Sequence, residues 1–216
     1  MSLEPASPPV VPQASHFGSD AAREQAAHVG MWVFLATEVL LFAALFTAYA
    51  VYRVDYPETF RAAREHMKVG IGTANTYLLV TSSICVAFAV WSVRQERTGL
   101  ATFLLLCAVV LGLGFLTLKG VEYAAHVREG ALPGRWYALE EFPRPGASLY
   151  FTLYFVMTGV HALHVLVGVG VLSVLTVQTA WGKYSGRYHT PLELGGMYWH
   201  LVDVIWLFVW PLLYLV

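Results

Sequence analysis

An apolar run at residues 194–216 is long enough to cross a bilayer, yet it carries His200 and Asp203 one helical turn apart. A transmembrane helix needs about 20 mostly apolar residues to span a hydrocarbon core about 30 Å thick. A charge at that depth costs at least about 2.5–3.5 kcal/mol, so such side chains usually face other helices or a polar cavity. This run therefore predicts a membrane protein whose helices enclose a polar interior.

Four further apolar runs have the same character, and they lie at about residues 28–52, 70–93, 100–126 and 147–179. Charged residues make up 12% of the chain, about half of the ~25% usual in soluble domains. Because lipid offers no hydrogen-bond partners, each run must form a helix, and the short alternating strands of a membrane barrel are absent from the sequence. The sequence thus predicts an all-α, polytopic membrane bundle of five transmembrane helices.

The first residues form a separate segment. Residues 1–27 contain several prolines among small and polar residues and lack the apolar core of a signal peptide. We therefore divide the chain into a Pro-rich polar tail, residues 1–27, and a transmembrane domain, residues 28–216. A formal net charge of -1 without a basic tract indicates no binding of nucleic acid.

The connections between the spans, residues 55–68, 94–97, 128–145 and 182–191, are polar and rich in turn-forming residues. Connections on the side opposite the N-terminus hold slightly more Lys and Arg than those on its own side. By itself this small excess places the N-terminus outside.

Glu38 lies near the centre of the first apolar run. Desolvation there disfavours the carboxylate, so we expect the neutral acid at physiological pH. Two interpretations remain open. The carboxyl handles protons or senses lipid headgroups, or it is a protonated acid that hydrogen-bonds a neighbouring helix.

Two histidines of the fourth run, His161 and His164, stand three residues apart and share one helical face. Two interpretations remain open: either they ligate a metal together with residues of other helices, or they form hydrogen bonds between helices. The second is the simpler interpretation. His200 and Asp203 present a similar choice, between an intrahelical contact that packs the bundle and part of a polar path.

Lys119 and Glu122 lie three residues apart near the end of the third run, shortly before His126. A Lys–Glu pair that snorkels to the interface is the simpler interpretation. The alternative is binding of a phospholipid headgroup, whose charges these side chains match. In that case we expect phospholipid in a groove between the first and third spans, with headgroup contacts from residues such as His28, Glu122 or His126.

The supply of histidines tests whether the chain itself is a redox enzyme. Of its eight histidines, only His161, His164 and His200 lie deep in the spans, too few for several His-ligated haems and a His-ligated copper. The two cysteines, Cys85 and Cys107, lie in apolar runs and indicate small buried side chains. We therefore expect no metal and no cofactor in this chain.

Five ordered motifs, each with a polar residue inside or beside a span, carry a resemblance. They are GMWVFLATEV at residues 30–39, NTYLLVTSS at 75–83, GVEY at 120–123, GVHALHV at 159–165 and YWHLVDVIWLF at 198–208. From about His28 to its end, the chain resembles subunit III of cytochrome c oxidase and its haem-copper oxidase relatives, in the short five-helix form of bacterial members.

The resemblance implies an accessory subunit without a cofactor, which packs against catalytic subunit I, binds phospholipid and supports proton uptake and durability of the active site. Haem and copper are expected in partner subunits, with subunit II and cytochrome c in the same complex. Glu38 matches the family's buried, carbodiimide-reactive glutamate. The other matches are to recurring polar positions of the family, namely Glu122, His161, His164, Glu193, His200 and Asp203.

The family places the start of the Glu38 helix on the cytoplasmic side. Against the charge count, the resemblance therefore predicts a cytoplasmic N-terminus and a periplasmic C-terminus in a bacterial inner membrane. Longer members of the family have two additional helices before the Glu38 helix, which form one wall of a lipid cleft. Here the Pro-rich tail takes their place.

Two alternatives to a cytochrome c oxidase subunit remain. A quinol oxidase subunit III or a nitric-oxide-reductase accessory protein uses the same scaffold with a different electron donor or substrate. A stand-alone transporter or proton channel built around Glu38, His161 and Asp203 belongs to another class, but no inverted repeat or Pro-broken pair of spans supports it.

Overall fold

Six helices make up most of the chain that the structure describes. The structure is a computed structural model, and it describes residues 19–215 except residues 66, 134–135 and 139–145. The helices are α1 (Asp20–Asp55), α2 (Pro57–Glu65), α3 (Val69–Arg94), α4 (Thr98–Glu129), α5 (Ala147–Ala180) and α6 (Thr190–Tyr214). All except α2 are long and apolar enough to cross a membrane, which confirms the all-α fold with five spans.

The first helix starts inside the segment predicted as a polar tail. The Ser19 hydroxyl oxygen accepts a hydrogen bond of 3.1 Å from the amide of Ala22, and it thereby satisfies one of the amides that the first turn leaves without a partner. The alanine-rich stretch that follows favours helix. The division at residue 28 therefore does not coincide with a break in the structure, while residues 1–18 of the predicted tail lie outside the described residues.

The helix α2 occupies part of the polar connection expected between the first two spans. Pro57 begins it, at a position where the amide hydrogen that proline lacks is not needed. Glu58 in the first turn complements the helix dipole. Phe60 and Ala63, three residues apart, are both buried. The helix was missed because it is short and polar, whereas the prediction was based on long apolar runs.

The four helices α3 to α6 form a ring in which each packs against the next and α6 packs against α3. Trp199 of α6 is buried at the contact with α4 and α5. A Cβ atom at Gly168 would lie 2.7 Å from this indole, and one at Gly112 would lie 2.9 Å from it. Both contacts are closer than side chains can pack, so glycine is needed at these positions to admit the indole.

The first helix lies outside this ring. It contacts α2, α5 and α6, but within the described ranges it touches neither α3 nor α4. Its buried residues Leu35, Phe42 and Tyr49 are seven apart, so one narrow seam faces the protein. In the described residues α1 therefore packs on α5 and α6 and does not contact α4, the helix of the third span.

Candidate functional site

Glu38 of α1 and His164 of α5 form an interhelical pair near the middle of both helices. Glu38 Oε2 lies 2.8 Å from His164 Nε2. The two side chains are 16% and 15% exposed. The ring of Phe42 packs edge-on against the imidazole, with 5.4 Å between the ring centroids. The carboxyl of Glu38 therefore hydrogen-bonds a side chain of a neighbouring helix.

The other ring nitrogen of His164 determines how many protons the pair holds. Nδ1 lies 2.7 Å from the carbonyl oxygen of Val160, and because a carbonyl only accepts, Nδ1 carries a hydrogen. The contact between Nε2 and Glu38 Oε2 then requires one further proton, located on the acid or on the imidazole. The pair is neutral overall in both forms. A proton can therefore shift between these two atoms without changing the charge of the site.

His161 lies one turn from His164 in different surroundings. It is fully buried, and neither ring nitrogen has a hydrogen-bond partner among the described residues. Its ring stacks on Trp206 of α6, 5.1 Å between centroids, and meets Phe115 of α4 edge-on. The two histidines thus share Phe42 as a neighbour but differ in their hydrogen bonds. Among the described residues, neither belongs to a group of side chains spaced to hold a metal ion.

Lys119 and Glu122 of α4 form the predicted ion pair, but the pair is buried and does not snorkel. Lys119 Nζ lies 3.0 Å from Glu122 Oε2, and the side chains are only 3% and 1% exposed. The ammonium also donates to the hydroxyls of Tyr154 and Tyr214, at 3.2 and 3.0 Å. Tyr214 in turn donates to Glu122 Oε1. Snorkelling was the wrong expectation because α5 and α6 each supply a tyrosine hydroxyl that hydrogen-bonds the ammonium inside the bundle.

His126 lies one turn beyond Glu122 and is also buried. Its Nδ1 lies 3.4 Å from Glu129 Oε2, and its ring packs edge-on against Tyr154. Both His126 and Glu122 therefore face protein within this chain. Of the two roles raised for them, lipid contact and structural polar contact, the geometry favours the structural one.

His200 contacts α3 and not its helical neighbour Asp203. His200 Nδ1 lies 2.5 Å from the hydroxyl oxygen of Ser83. The Asp203 side chain, one turn further along α6, is buried, and its Oδ1 has no partner among the described residues. Of the two residues, His200 therefore packs α6 against α3 through Ser83, and the described residues show no direct hydrogen bond between His200 and Asp203.

Glu193, in the first turn of α6, lies at the centre of a charged cluster at one end of the bundle. It accepts hydrogen bonds from Arg94 of α3, and its carboxylate oxygens lie 3.0 Å from His189 and 3.6 Å from His28. Potential ligand atoms of Glu24, His28 and Glu193 all lie within 4.8 Å of one another. A metal ion bound there would have to compete with the guanidinium that already neutralises Glu193.

A groove of about 350 Å³ opens beside this cluster, between α1 and α3 and against α6. His28, Arg94 and Glu193 supply its charged part, whereas Val90 and Met197 supply apolar lining. The groove therefore combines a guanidinium with an apolar surface, and these are the two features that a phospholipid headgroup and its acyl chain require.

The sequence did not identify several partners of the candidate residues. Ser83, Arg94, Tyr154 and Tyr214 each contact a candidate residue from another helix. Ser83 lies within one of the five motifs, so its polar side chain inside a span was a signal. The two tyrosines carried none, because an aromatic residue near the end of a span is equally typical of an interfacial anchor.

Comparison with known proteins identifies the family. The family model described as cytochrome c oxidase subunit III matches residues 10–216. The chain belongs to this family. As a subunit III, it is an integral membrane protein and a non-catalytic part of a haem-copper oxidase.

Relatives of this subunit III come from bacteria and an archaeon. It is 27% identical over 189 residues to the probable quinol oxidase subunit 3 of Staphylococcus haemolyticus, covering 87% of this chain and 88% of that protein. The corresponding Staphylococcus aureus protein (strain USA300) is 25% identical with the same coverage. The heme-copper oxidase subunit I+III of Aeropyrum pernix is 31% identical over 192 residues, which cover 86% of this chain and 22% of that longer protein.

Proposed function

We propose that this chain is an accessory subunit without a cofactor of its own, which packs against the haem-copper subunit I and supports proton uptake through the Glu38–His164 pair. The observation that carries the proposal is the 2.8 Å contact between Glu38 Oε2 and His164 Nε2, together with the 2.7 Å contact of His164 Nδ1. The shared proton can leave the pair only if another proton replaces it, because the pair would otherwise keep a net negative charge in an apolar environment. Such a pair therefore suits a relay in which one proton enters as another leaves.

The location of the pair supports exchange with its surroundings. Both side chains are partly exposed, in contrast to the fully buried His161. The pair lies where α1 packs on α5, and α1 contacts only α2, α5 and α6 in the described chain. A proton donor or acceptor on a neighbouring subunit can therefore approach the pair without the bundle having to open.

Contact with subunit I is supported by the relative whose name combines subunits I and III, since a single polypeptide keeps both parts in one complex. The open side of α1 carries large apolar side chains, including Trp32, Val33 and Leu40. Such a surface is suited to contact with lipid or with helices of another subunit.

Phospholipid is proposed to occupy the groove between α1 and α3. Arg94 pairs with Glu193 but is half exposed, so its remaining N–H groups can donate to a phosphate. Val90 and Met197 supply a surface for an acyl chain. With the family's orientation, this groove opens toward the cytoplasmic side of a bacterial inner membrane, where the N-terminus also lies. Native mass spectrometry of the complex tests this point, and Arg94→Gln is expected to lower the lipid occupancy.

Cytochrome c is proposed as the electron donor on the resemblance of the sequence. Quinol is the second candidate, because the staphylococcal relatives are named as probable quinol oxidase subunits. Purification of the complex in mild detergent distinguishes the two electron donors, because a subunit II that carries a dicopper centre indicates cytochrome c. A chain that purifies without any haem-copper subunit would contradict the proposal as a whole.

The role of the pair is tested with Glu38→Gln in the intact oxidase. The amide preserves size and one hydrogen-bond donor but cannot release a proton. We expect normal assembly and haem spectra, with slower proton uptake, lower pumping efficiency or earlier inactivation during turnover. Glu58→Gln, at an exposed position of α2, is the matched control and should behave as wild type.

Two results of this experiment would contradict the proposal. Wild-type values of all three quantities in Glu38→Gln would leave the pair with a structural role only. Complete loss of oxygen reduction in an assembled complex would mean that Glu38 belongs to the catalytic machinery.

A further inference from the structure

The first turns of α1 lie against the first turn of α6, and side chains that can bind a metal ion converge there. Glu24 and His28 stand four residues apart on α1, so they share a face of that helix. Glu193 lies in the first turn of α6. One potential ligand atom from each of the three lies within 4.8 Å of the other two, and no other group of His, Cys, Asp or Glu side chains in the described chain is so arranged. These three residues are called here the α1–α6 cluster.

Contacts between the two helices hold the members of the α1–α6 cluster in place. His28 Nε2 lies 3.6 Å from Glu193 Oε2, and the two side chains are 33% and 14% exposed. The Thr190 hydroxyl of α6 donates to Glu24 Oε1 at 3.1 Å, which keeps this carboxylate against α6. The imidazole and both carboxylates therefore face one another across the contact between α1 and α6.

The ion pair between Glu193 and Arg94 leaves one oxygen of the carboxylate available. Arg94 donates to Oε1 of Glu193, and His189 Nε2 lies 3.0 Å from the same oxygen. Oε2 is the oxygen that faces His28. The guanidinium thus weakens cation binding through its charge, but it does not occupy the position between Oε2 and the imidazole. A carboxylate that ligates a metal commonly accepts such hydrogen bonds from outer groups.

We propose that Glu24, His28 and Glu193 bind an exchangeable divalent transition-metal ion of the zinc class, which ties α1 to α6. One imidazole nitrogen and two carboxylate oxygens are ligands that zinc accepts, and a site with three protein ligands leaves its fourth position to water. Bonds of about 2.0–2.2 Å in a tetrahedral site place the ligand atoms about 3.3–3.6 Å apart. The 3.6 Å between His28 Nε2 and Glu193 Oε2 already matches this spacing. Rotation of the exposed Glu24 side chain brings the third ligand into place.

The ion would add a connection where α1 has few others. This helix lies outside the ring of α3 to α6, and His28 and Glu193 also line the groove proposed for phospholipid. A bound ion therefore fixes one wall of that groove against α6. Because one position stays open and Glu24 is exposed, the ion exchanges with solvent and a chelator removes it, so it is not a cofactor retained through purification. The site depends neither on the Glu38–His164 pair nor on the identity of the electron donor.

Protection of His28 from diethyl pyrocarbonate tests the site in the intact, chelator-treated oxidase complex. The reagent modifies an imidazole nitrogen that is free of metal, and peptide mass spectrometry measures the modification of His28 separately from that of every other histidine. Zinc ions are expected to slow this modification several-fold. Magnesium at the same concentration should have little effect, because it prefers an octahedral set of oxygen ligands. Equal modification with and without zinc would overturn the proposal, since His28 then joins the two carboxylates without an ion.

Variants identify the ligands. Glu24→Gln should raise the zinc concentration needed to protect His28 by at least about tenfold, the smallest effect expected on loss of a group that supports a metal site. Glu96→Gln is the matched control, because Glu96 is an exposed acid at the same end of the bundle that accepts a hydrogen bond from the Gly186 amide, and it should protect as wild type. Arg94→Gln should lower the required zinc concentration several-fold, because a competing positive charge is removed. Equal protection in Glu24→Gln and Glu96→Gln would overturn the assignment of the ligands.

Discussion

Lys119→Met tests the buried ion pair of α4 most directly. Methionine keeps a long apolar side chain but removes the ammonium that donates to Glu122, Tyr154 and Tyr214 at 3.0, 3.2 and 3.0 Å. Four aromatic rings lie between 5.0 and 5.6 Å from this ammonium, and they lose a cation–π contact as well. Glu122, 1% exposed, then keeps only the hydrogen bond from Tyr214.

The expected loss is large because a buried charge is left without its partner. Removal of one member of a buried ion pair typically costs about 3–5 kcal/mol. For a chain of this size, 1 kcal/mol corresponds to about 2–4 °C in thermal midpoint, so we expect a fall of about 6–20 °C. The double variant Lys119→Met/Glu122→Met leaves neither charge, and it should recover most of this loss.

The assay is thermal unfolding of the purified complex in one detergent at one heating rate. Lys68→Met is the matched control, because Lys68 also faces a glutamate, Glu129 at 3.9 Å, but both side chains are about half exposed. An exposed pair contributes about 0–1 kcal/mol. If Lys119→Met shifts the midpoint no more than Lys68→Met, or if the double variant is as unstable as the sum of its single changes, the reasoning about the buried pair is wrong.

Three further predictions concern helix packing, Glu38 and metals. Gly168→Ala should destabilise the protein by about 1–3 kcal/mol, because its Cβ would lie 2.7 Å from Trp199. Gly170→Ala, in the same helix with open space around it, should be neutral or stabilising, and equal midpoints for the two variants would contradict the packing argument. Dicyclohexylcarbodiimide, which prefers protonated carboxyls in apolar surroundings, should label Glu38 selectively. Peptide mapping checks this prediction, and labelling spread over exposed carboxylates would contradict it. Elemental analysis and a visible spectrum of the subunit separated from its complex should show no stoichiometric haem, copper, iron or zinc, whereas one tightly held metal per chain would contradict the absence of a cofactor.

The number and approximate bounds of the spans could be predicted because membrane helices follow from local composition. A lipid-embedded backbone must satisfy its own hydrogen bonds, so length and apolarity suffice to locate each helix. The same criterion missed α2 and residues 20–27, which form helix through capping and propensity in polar sequence. The starts of these helices depend on single residues, namely Ser19, which caps α1, and Pro57, which begins α2.

The sequence by itself determined that the chain is a membrane helix bundle and which polar side chains lie inside its spans. It also determined the family, since five motifs in order are a property of the chain alone. Each of these conclusions depends only on residues that are neighbours in sequence. A polar residue within an apolar run is expected to have a polar partner, even before the partner is known.

Only the tertiary structure decided which partner each polar side chain has. Glu38 and His164 are 126 residues apart, and Ser83 and His200 are 117 apart. His161 differs from His164 in no local pattern, yet it faces Trp206 and not a carboxylate. The pairing depends on which helix faces meet, and those faces are set by the packing of whole helices, including glycines that admit a buried indole. A local sequence window contains no information about a helix that packs against it from more than a hundred residues away.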